Sequence, residues 1–276
     1  MGRISSRNNP VTTQARRLAL ITGASSGIGA AFARAYAERG CDLVLVARRE
    51  DRLKALGDEL AARHGITATP LAVDLSDRDA TVRITNQLGD QSPDILVNNA
   101  GFSIAQTFLA SDWAEQRDFL QVQVMTAVEL CRALMPAMVE RKWGRVVNVA
   151  SVVAYSPGAK GHTLYPAAKS FLIKMSQSFA AEVKEYGVHV TAVAPGQTES
   201  EFADANGTRD LVKRASFMTQ KPEDVVATAI RANEKGREVV ISGINNKIAA
   251  AVMTHLPDRL MAALIRPTAA KFSLPD

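Results

Sequence analysis

Cysteine is scarce in this chain of 276 residues, where Cys41 and Cys131 are the only two. Both stand in apolar surroundings, far apart in the sequence, and no Cys-x-x-Cys pair is present. A disulfide framework or a thiolate metal site needs more cysteines at shorter spacings. We therefore expect two buried, reduced thiols in a cytoplasmic protein, and no metal centre.

Long hydrophobic runs are also missing. No apolar stretch approaches the roughly 20 residues that a membrane-spanning helix needs, and the first residues lack the apolar core of a secretory signal peptide. We expect no integral membrane segment. The balance of 47% hydrophobic and 22% charged residues fits one globular domain with a sizeable core.

Acidic residues are absent from the first 17 positions, which hold four arginines. This segment supplies +4 of the formal net charge of +5, so the rest of the chain is nearly neutral. We therefore expect no nucleic-acid-binding face. The polar segment 1–16 is predicted to be a flexible basic leader; an organelle-targeting peptide is the alternative.

Apolar strands alternate with amphipathic helices along the rest of the chain, which predicts right-handed βαβ units. The strands are mostly apolar throughout, as expected of strands covered on both faces. The predicted fold is α/β: a doubly wound, seven-stranded parallel sheet in three α/β/α layers, forming a single domain over 17–243. The first predicted strand begins at Leu18, and the six others cover 42–47, 66–73, 95–97, 145–150, 188–194 and 238–241. The first predicted helix runs from Ile28 to near Gly40, and the five others cover 50–63, 76–88, 112–140, 165–186 and 222–235.

The stretch from Leu18 to Gly29 is an apolar strand, a Gly/Ser turn and the start of a helix. Unpaired backbone N–H groups at a helix N-terminus carry a positive partial charge and suit a phosphate. Gly23, Gly27 and Gly29 allow a tight turn and a close approach by a pyrophosphate. The sequence predicts a phosphate-binding loop; a Gly-rich turn that binds nothing is the alternative.

Two arginines after the second strand indicate which dinucleotide this loop would hold. Arg48 stands 19 positions after Gly29, where an acidic residue would bond the ribose 2′-hydroxyl of NAD and an arginine can accommodate the 2′-phosphate of NADP. With Arg49 adjacent, the pair favours NADP; a solvated arginine pair is the alternative. Asp74, at the end of the third strand, is a candidate for the adenine amino group, or else caps the next helix, where Ser76 already serves.

Tyr165 and Lys169 are four residues apart at a helix start and so share one face. A neighbouring ammonium lowers the pKa of a phenol from about 10, and such a phenol can exchange a proton with a substrate. A surface cation–aromatic contact is the alternative. Ser151, directly after the fifth strand, can hydrogen-bond a substrate oxygen at the same sheet edge, with Ser156 as a competing candidate.

Four motifs together resemble the short-chain dehydrogenase/reductase family. They occur in the family's order as the glycine motif Thr22–Gly29, the Asn-Asn-Ala-Gly turn at 98–101, the Tyr-x-x-x-Lys pair at 165–169 and the Pro-Gly turn at 195–196. The resemblance covers roughly 17–243 and implies a Rossmann-type fold with NADP-dependent oxidoreductase activity on a carbonyl or secondary alcohol. It also implies a homodimer or homotetramer, paired through the helices at 112–140 and 165–186.

The resemblance implies a role for each motif residue. Tyr165 would be the general acid when a carbonyl is reduced, Lys169 would lower its pKa and hold the nicotinamide ribose, and Ser151 would orient the substrate oxygen. Hydride would pass between the nicotinamide and the substrate carbon. The implied contacts with NADP(H), preferred over NAD(H), are Gly23, Ser25, Ser26, Gly27, Ile28, Gly29, Arg48, Arg49, Asp74, Leu75, Asn99, Ala100, Gly101, Tyr165, Lys169, Pro195, Gly196 and, for the carboxamide, Thr198.

One position departs from the family pattern. Family members usually carry an Asn in the long helix ahead of the catalytic Ser, but no Asn occurs between Asn99 and Asn148, and Gln123 takes the position. Its amide is the same group on a longer stem, so Gln123 is a candidate for holding the water that links Lys169 to solvent. If this relay fails, a non-catalytic dinucleotide-binding sensor or interaction module is the alternative function.

The region after the last strand carries no family motif. The extension 244–276 begins with an amphipathic stretch, 244–265, which we expect to be a lid or an interface; a peripheral helix on a membrane surface is the alternative. The substrate pocket is expected between this extension, the loop after Gly101, the segment 152–164 and the loop 197–219. Its candidate contacts in that loop are Phe202, Phe217, Met218, Arg209 and Arg214.

Overall fold

The computed structural model describes residues 16–104, 106–199, 219–257 and 259–260. Its strands are β1 (Leu18–Thr22), β2 (Asp42–Ala47), β3 (Ala68–Ala72), β4 (Ile95–Asn98), β5 (Gly144–Val149), β6 (Val188–Ala194) and β7 (Val239–Ile241). They form one sheet in the order β3-β2-β1-β4-β5-β6-β7, and all neighbouring strands are parallel. The predicted seven-stranded, doubly wound sheet is confirmed.

The helices cover both faces of this sheet. They are α1 (Gly27–Ala37), α2 (Glu50–His64), α3 (Ala80–Leu88), α4 (Trp113–Leu120), α5 (Thr126–Glu140), α6 (Tyr165–Val183), α7 (Pro222–Glu234) and α8 (Ile244–His255). Helices α1, α2 and α7 enclose one apolar core with the sheet, and α3, α5 and α6 enclose a second.

Each strand contributes to both cores because successive side chains point to opposite faces. In β1, Ala19 and Ile21 join the first core and Leu20 joins the second, which is why the strands are apolar without alternation. Cys41 lies in the first core and Cys131 in the second. Both are buried and free, as the sequence predicted.

Two helices depart most from the predicted bounds. The predicted helix 112–140 is interrupted, since a π-helical turn covers Gln121–Met125 between α4 and α5; such turns are frequent at functional sites. Helix α3 begins at Ala80, later than predicted. Ser76 does not start it, because its N–H and Oγ both donate to Asp74 Oδ1, at 3.0 and 2.8 Å, in a local turn.

The stretch Trp113–Glu140 is the one part of the described residues that is long and apolar enough to cross a membrane, judged by length and composition. Its second half, α5, buries Leu130, Leu134 and Met138 in the core against the sheet. The second half of this stretch is thus a core helix of the fold.

Strand β1 lies between β2 and β4, so the strand order reverses direction here. The carboxyl ends of β1 and β4, at Thr22 and Asn98, border the crevice that such a reversal creates. In open parallel sheets this crevice is where ligands bind. The fold thus places the glycine loop, which follows Thr22, at the expected binding edge.

Candidate active site

The glycine loop turns directly from β1 into α1. Gly23 and Gly27 have φ of 66° and 53°, which glycine adopts without strain. At Gly29 the requirement is space, since a Cβ there would lie 2.1 Å from the carbonyl oxygen of Gly23. The first turn of α1 holds no acidic residue, and Ser26 at its N-cap makes no side-chain cap. The N–H groups of this turn are therefore available to an anion.

The turn after β4 is bonded to the glycine loop. Thr22 Oγ1 accepts from the N–H groups of Asn99 and Ala100 at 2.9 and 3.1 Å. In return, Asn99 Nδ2 donates to the carbonyl oxygens of Thr22 and Gly23 at 2.9 and 3.3 Å. These bonds hold the loop and the turn in one rigid unit at the carboxyl edge of the sheet.

The two arginines after β2 lie at the same edge. Arg49 donates to the hydroxyls of Ser25 and Ser26 at 3.0 and 3.1 Å, which brings a guanidinium onto the glycine loop. The Arg48 side chain is 76% exposed and stands 4.0 Å from Asp74. An ion pair this exposed contributes little to stability, so its charge remains available to an anionic ligand.

Ser151, Tyr165 and Lys169 come together from the end of β5 and the first turns of α6. The buried Ser151 hydroxyl reaches the carbonyl oxygen of Pro195 at 3.5 Å. Lys169 Nζ donates to the carbonyl oxygen of Val149 at 2.9 Å and lies 5.5 Å from the centre of the Tyr165 ring. The α6 spacing of four residues thus brings Tyr165 and Lys169 together, and both side chains line the same cleft as Ser151.

Burial dominates the proton affinities of this group. It raises the pKa of the Tyr165 phenol to about 12, while a side-chain hydrogen bond with Ser151 acts in the opposite direction. It lowers the pKa of the Lys169 ammonium to about 7. At neutral pH the phenol therefore carries its proton, and burial favours the neutral form of the Lys169 amine.

One cleft of about 1010 Å³ connects these parts, at the upper end of ligand-pocket volumes, roughly 300–1,000 Å³. Among the predicted catalytic and cofactor-binding residues, Gly29 and Gln123 do not line it, and neither does Ser156, the competing candidate to Ser151. The predicted residues that line this cleft are Gly23, Ser25, Ser26, Gly27, Ile28, Arg48, Arg49, Asp74, Leu75, Asn99, Ala100, Gly101, Ser151, Tyr165, Lys169, Pro195, Gly196 and Thr198.

Comparison with known proteins assigns this architecture to a family. The model of the short chain dehydrogenase family matches residues 17–210, well over half of the chain. This chain belongs to the short-chain dehydrogenase family. A short chain dehydrogenase of Pseudocercospora fijiensis is 43% identical over 192 residues, which cover 67% of this chain. The match spans 61% of that relative, less than two thirds of its length.

Solved structures of short-chain dehydrogenases share the fold over nearly the whole chain. One from Sphingobium yanoikuyae, in complex with NADPH, has a TM-score of 0.77 at 28% identity, covering 94% of this chain and 97% of that one. A 3-oxoacyl-(acyl-carrier protein) reductase from Brucella melitensis with bound NAD has a TM-score of 0.70 at 29% identity, covering 82% and 88%. The neighbours thus include proteins bound to either dinucleotide.

Gln123, at the position where short-chain dehydrogenases usually carry Asn, lies behind the cleft wall. It sits in the π-helical turn and is buried. Its Nε2 donates to the carbonyl oxygen of Phe102 at 2.7 Å, and its Oε1 is buried without a hydrogen-bond partner. A Cβ on Gly101 would lie 2.7 Å from this amide. The longer stem therefore packs Gln123 against the loop that follows the Asn-Asn-Ala-Gly turn.

Several cleft residues carry no sequence signal. His162 belongs to the segment 152–164, which the sequence assigned to the substrate pocket without singling out a residue. The others lie at the carboxyl ends of β2 and β5, in the segments that follow the strands, or in the helical stretch from α4 into the π-helical turn. These further lining residues are Ala47, Val73, Ser76, Phe102, Glu115, Asp118, Val122, Val149, Ala150, Val152, Val153 and Gln197.

The expected lid is not among the described cleft residues. Helix α8 packs instead behind the Pro195–Gly196 turn, where a Cβ on Gly196 would meet Asn246 Oδ1 at 2.1 Å, and it leaves Ile244, Ile248 and Val252 exposed. The pocket candidates in the loop after Gly196 lie outside the described residues, as do most of the leader 1–16 and the end of the amphipathic stretch. These candidates are Phe202, Phe217, Met218, Arg209 and Arg214.

Proposed function

We propose that this chain is an NADP-dependent oxidoreductase that transfers a hydride between nicotinamide and a carbonyl or secondary alcohol. The observation that carries the proposal is the position of Ser151, Tyr165 and Lys169 in the same cleft as the glycine loop. A cofactor whose phosphates bind at the glycine loop could extend along this one cleft to the Tyr165 phenol. That arrangement supports a role for the Tyr165 phenol as the proton donor in hydride transfer.

The preference for NADP over NAD rests on the two arginines. The glycine loop and the open N-terminus of α1 fit the pyrophosphate of either dinucleotide. Arg48 and Arg49, beside Ser25 and Asp74, add two positive charges where the adenosine ribose would lie. These charges would stabilise the bound 2′-phosphate of NADP more than the uncharged 2′-hydroxyl of NAD.

The proposed mechanism divides the work among three side chains. The bound cofactor supplies the hydride. Ser151 donates a hydrogen bond to the substrate carbonyl oxygen and polarises it, and the neutral Tyr165 phenol donates its proton to that oxygen in the reductive direction. Protonated Lys169, which would hold the nicotinamide ribose when the cofactor is bound, lowers the pKa of Tyr165 and stabilises the phenolate that remains.

A dinucleotide sensor without turnover is the second candidate, and Gln123 is the observation that favours it. Its amide bonds the Phe102 carbonyl and does not line the cleft. The proposal of a relay through Gln123 therefore requires water to connect its unpartnered Oε1 to Lys169. Binding of NADPH without oxidation of it by any carbonyl compound would support the sensor.

The first experiment measures cofactor oxidation by the purified full-length chain. NADPH and NADH are each tested against a panel of ketones, keto esters, hydroxyketones and aldehydes. The proposal expects NADPH oxidation with some members of the panel, at a higher kcat/KM than NADH. Oxidation of neither cofactor with any member would contradict the proposed activity, and equal use of both would contradict the NADP preference.

Assembly into a homodimer or homotetramer is part of the proposal. Trp113, Met125 and Phe171, on the α4–α5 and α6 helices, are 61%, 47% and 41% exposed. A second copy would cover these apolar side chains. Sedimentation equilibrium of the full chain tests this assembly, and a monomer at all concentrations would contradict it.

A further inference from the structure

The segment ahead of Tyr165 reverses direction twice. The carbonyl oxygen of Ala159 accepts from the N–H of His162 at 3.1 Å, and the carbonyl oxygen of His162 accepts from the N–H of Tyr165 at 3.0 Å. Within these turns Gly161 has a φ of 85° and Thr163 a φ of 45°. The left-handed region is unfavourable for a β-branched residue such as threonine. Strain of this kind persists where the surrounding structure imposes it, and it is concentrated at functional sites.

Two side chains of this segment have buried polar atoms that lack partners. His162 Nδ1 and Thr163 Oγ1 are both buried and make no hydrogen bond. Buried polar atoms are paired in most proteins, so adjacent exceptions call for an explanation. His162 also lines the cleft that holds Ser151, Tyr165 and Lys169. The strained double turn therefore holds the His162 imidazole in the cleft, and a backbone hydrogen bond connects His162 to Tyr165.

The protonation of this imidazole follows from its surroundings. Burial lowers the pKa of His162 below its usual value, so the ring is neutral at pH 7 and carries one N–H. Buried donors without acceptors are rarer in proteins than under-satisfied acceptors, and Nδ1 is the buried atom. The proton is therefore expected on Nε2, at the edge of the ring that faces away from the buried side.

We propose that His162 forms a substrate-binding subsite, in which its Nε2–H donates a hydrogen bond to a second oxygen of the substrate. This inference rests on the proposed function, because Ser151 and Tyr165 there engage the reacting carbonyl. The subsite selects carbonyl compounds that carry a further neutral acceptor, such as a hydroxyl, keto or ester oxygen. His162 takes no part in proton transfer to the reacting oxygen, because Tyr165 donates that proton.

Three substitutions separate hydrogen bonding from packing. In His162→Gln the side-chain amide nitrogen reaches the position of Nε2, whereas in His162→Asn it reaches only the position of Nδ1. His162→Leu keeps bulk and removes all hydrogen bonding. Each variant is compared with the wild type by its thermal unfolding midpoint and its Kd for NADPH, which the subsite assignment leaves unchanged.

The kinetic test uses pairs of ketones that differ in one feature. Each pair takes an oxygen-bearing substrate that the enzyme reduces and its hydrocarbon analogue, for example 4-hydroxy-2-butanone with 2-pentanone, in which a methyl group replaces the hydroxyl. For the oxygen-bearing member, His162→Asn and His162→Leu should lower kcat/KM about 3- to 10-fold, mainly through KM, as one neutral hydrogen bond predicts. His162→Gln should restore most of the loss, and in His162→Asn and His162→Leu the analogue should lose less than the oxygen-bearing member.

The possible outcomes distinguish this inference from the function on which it rests. Equal kcat/KM for both members of every pair, or equal losses in all three variants, would overturn the subsite and leave the oxidoreductase assignment intact. A loss of NADPH affinity in the Leu variant would place His162 at the cofactor instead. Failure of the wild type to reduce any carbonyl would overturn the proposed function itself.

Discussion

Lys169 Nζ lies 5.5 Å from the centre of the Tyr165 ring and is held there by a hydrogen bond to the carbonyl oxygen of Val149. The two residues are one turn apart on α6, and β5 supplies the acceptor. Burial leaves the Lys169 pKa at about 7 and the Tyr165 pKa at about 12. The protonation state of Lys169 therefore changes within the working pH range, while Tyr165 keeps its proton.

The first prediction concerns stability and pH. Because the Lys169 pKa falls from 10.5 to about 7 on folding, the unfolded chain binds more protons between these values. The free energy of unfolding of the wild type, relative to Lys169→Met, should therefore rise with pH from about 7 to 9.5. Urea unfolding of both proteins across this range measures the difference. A difference that is flat or falls with pH would show that Lys169 is not desolvated in the folded chain.

The second prediction concerns cofactor choice. Arg48→Ala should raise the Kd for NADPH about 10-fold and change the Kd for NADH less than about 3-fold, as expected for one partly screened charge-assisted hydrogen bond. Arg34→Ala is the matched control, because Arg34 is an exposed arginine that pairs with Glu59 outside the cleft. Fluorescence titration of the wild type and both variants with both cofactors measures all six constants. Equal losses for the two cofactors would show that Arg48 does not read the 2′-phosphate.

The third prediction concerns the glycine loop. Gly29→Ala should lower the free energy of unfolding by about 1–3 kcal/mol, the usual cost of overpacking, because its Cβ would meet the Gly23 carbonyl oxygen at 2.1 Å. It should also weaken NADPH binding. Gly158→Ala is the control, since a Cβ there meets no atom within 4 Å. Unfolding by urea compares the two, and the account fails here if both variants are equally stable.

The fourth prediction concerns a buried polar chain behind the active site. Asn98 Nδ2 donates to Asn148 Oδ1 at 2.9 Å, and Asn148 Nδ2 donates to Ser176 Oγ at 2.8 Å. This chain ties β4, β5 and α6, the elements that carry the cleft side chains. Asn148→Ala should cost about 1–3 kcal/mol by leaving buried groups unpaired, whereas the exposed Asn86→Ala should stay within about 0.5 kcal/mol.

Much of the fold could be predicted from the sequence because its strands are short apolar runs bounded by polar residues or glycine. Strands β2 and β6 have the predicted bounds. The π-helical turn at Gln121–Met125 was not predictable, since it changes backbone hydrogen bonding within a stretch that stays helical. The late start of α3 was not predicted either, because the Asp74–Ser76 turn competes with helix formation there.

The site divides in the same way. The glycine loop was predictable because a pyrophosphate demands glycines at fixed spacing, and almost all of its residues line the cleft. The lowered pKa of Lys169 was not predictable. It results from desolvation, which depends on burial in the folded protein and leaves no local sequence pattern. His162 also escaped, since a single histidine without a spaced partner carries no signal until the fold places it in the cleft.

The central claim is that Tyr165 donates the proton for carbonyl reduction. The most direct test is the rate of NADPH oxidation by wild type and Tyr165→Phe with the best ketone of the panel, with the NADPH Kd measured for both. The account predicts that the variant binds NADPH like the wild type and loses about 10²–10⁴-fold in kcat. A variant that reduces the ketone at the wild-type rate would contradict it.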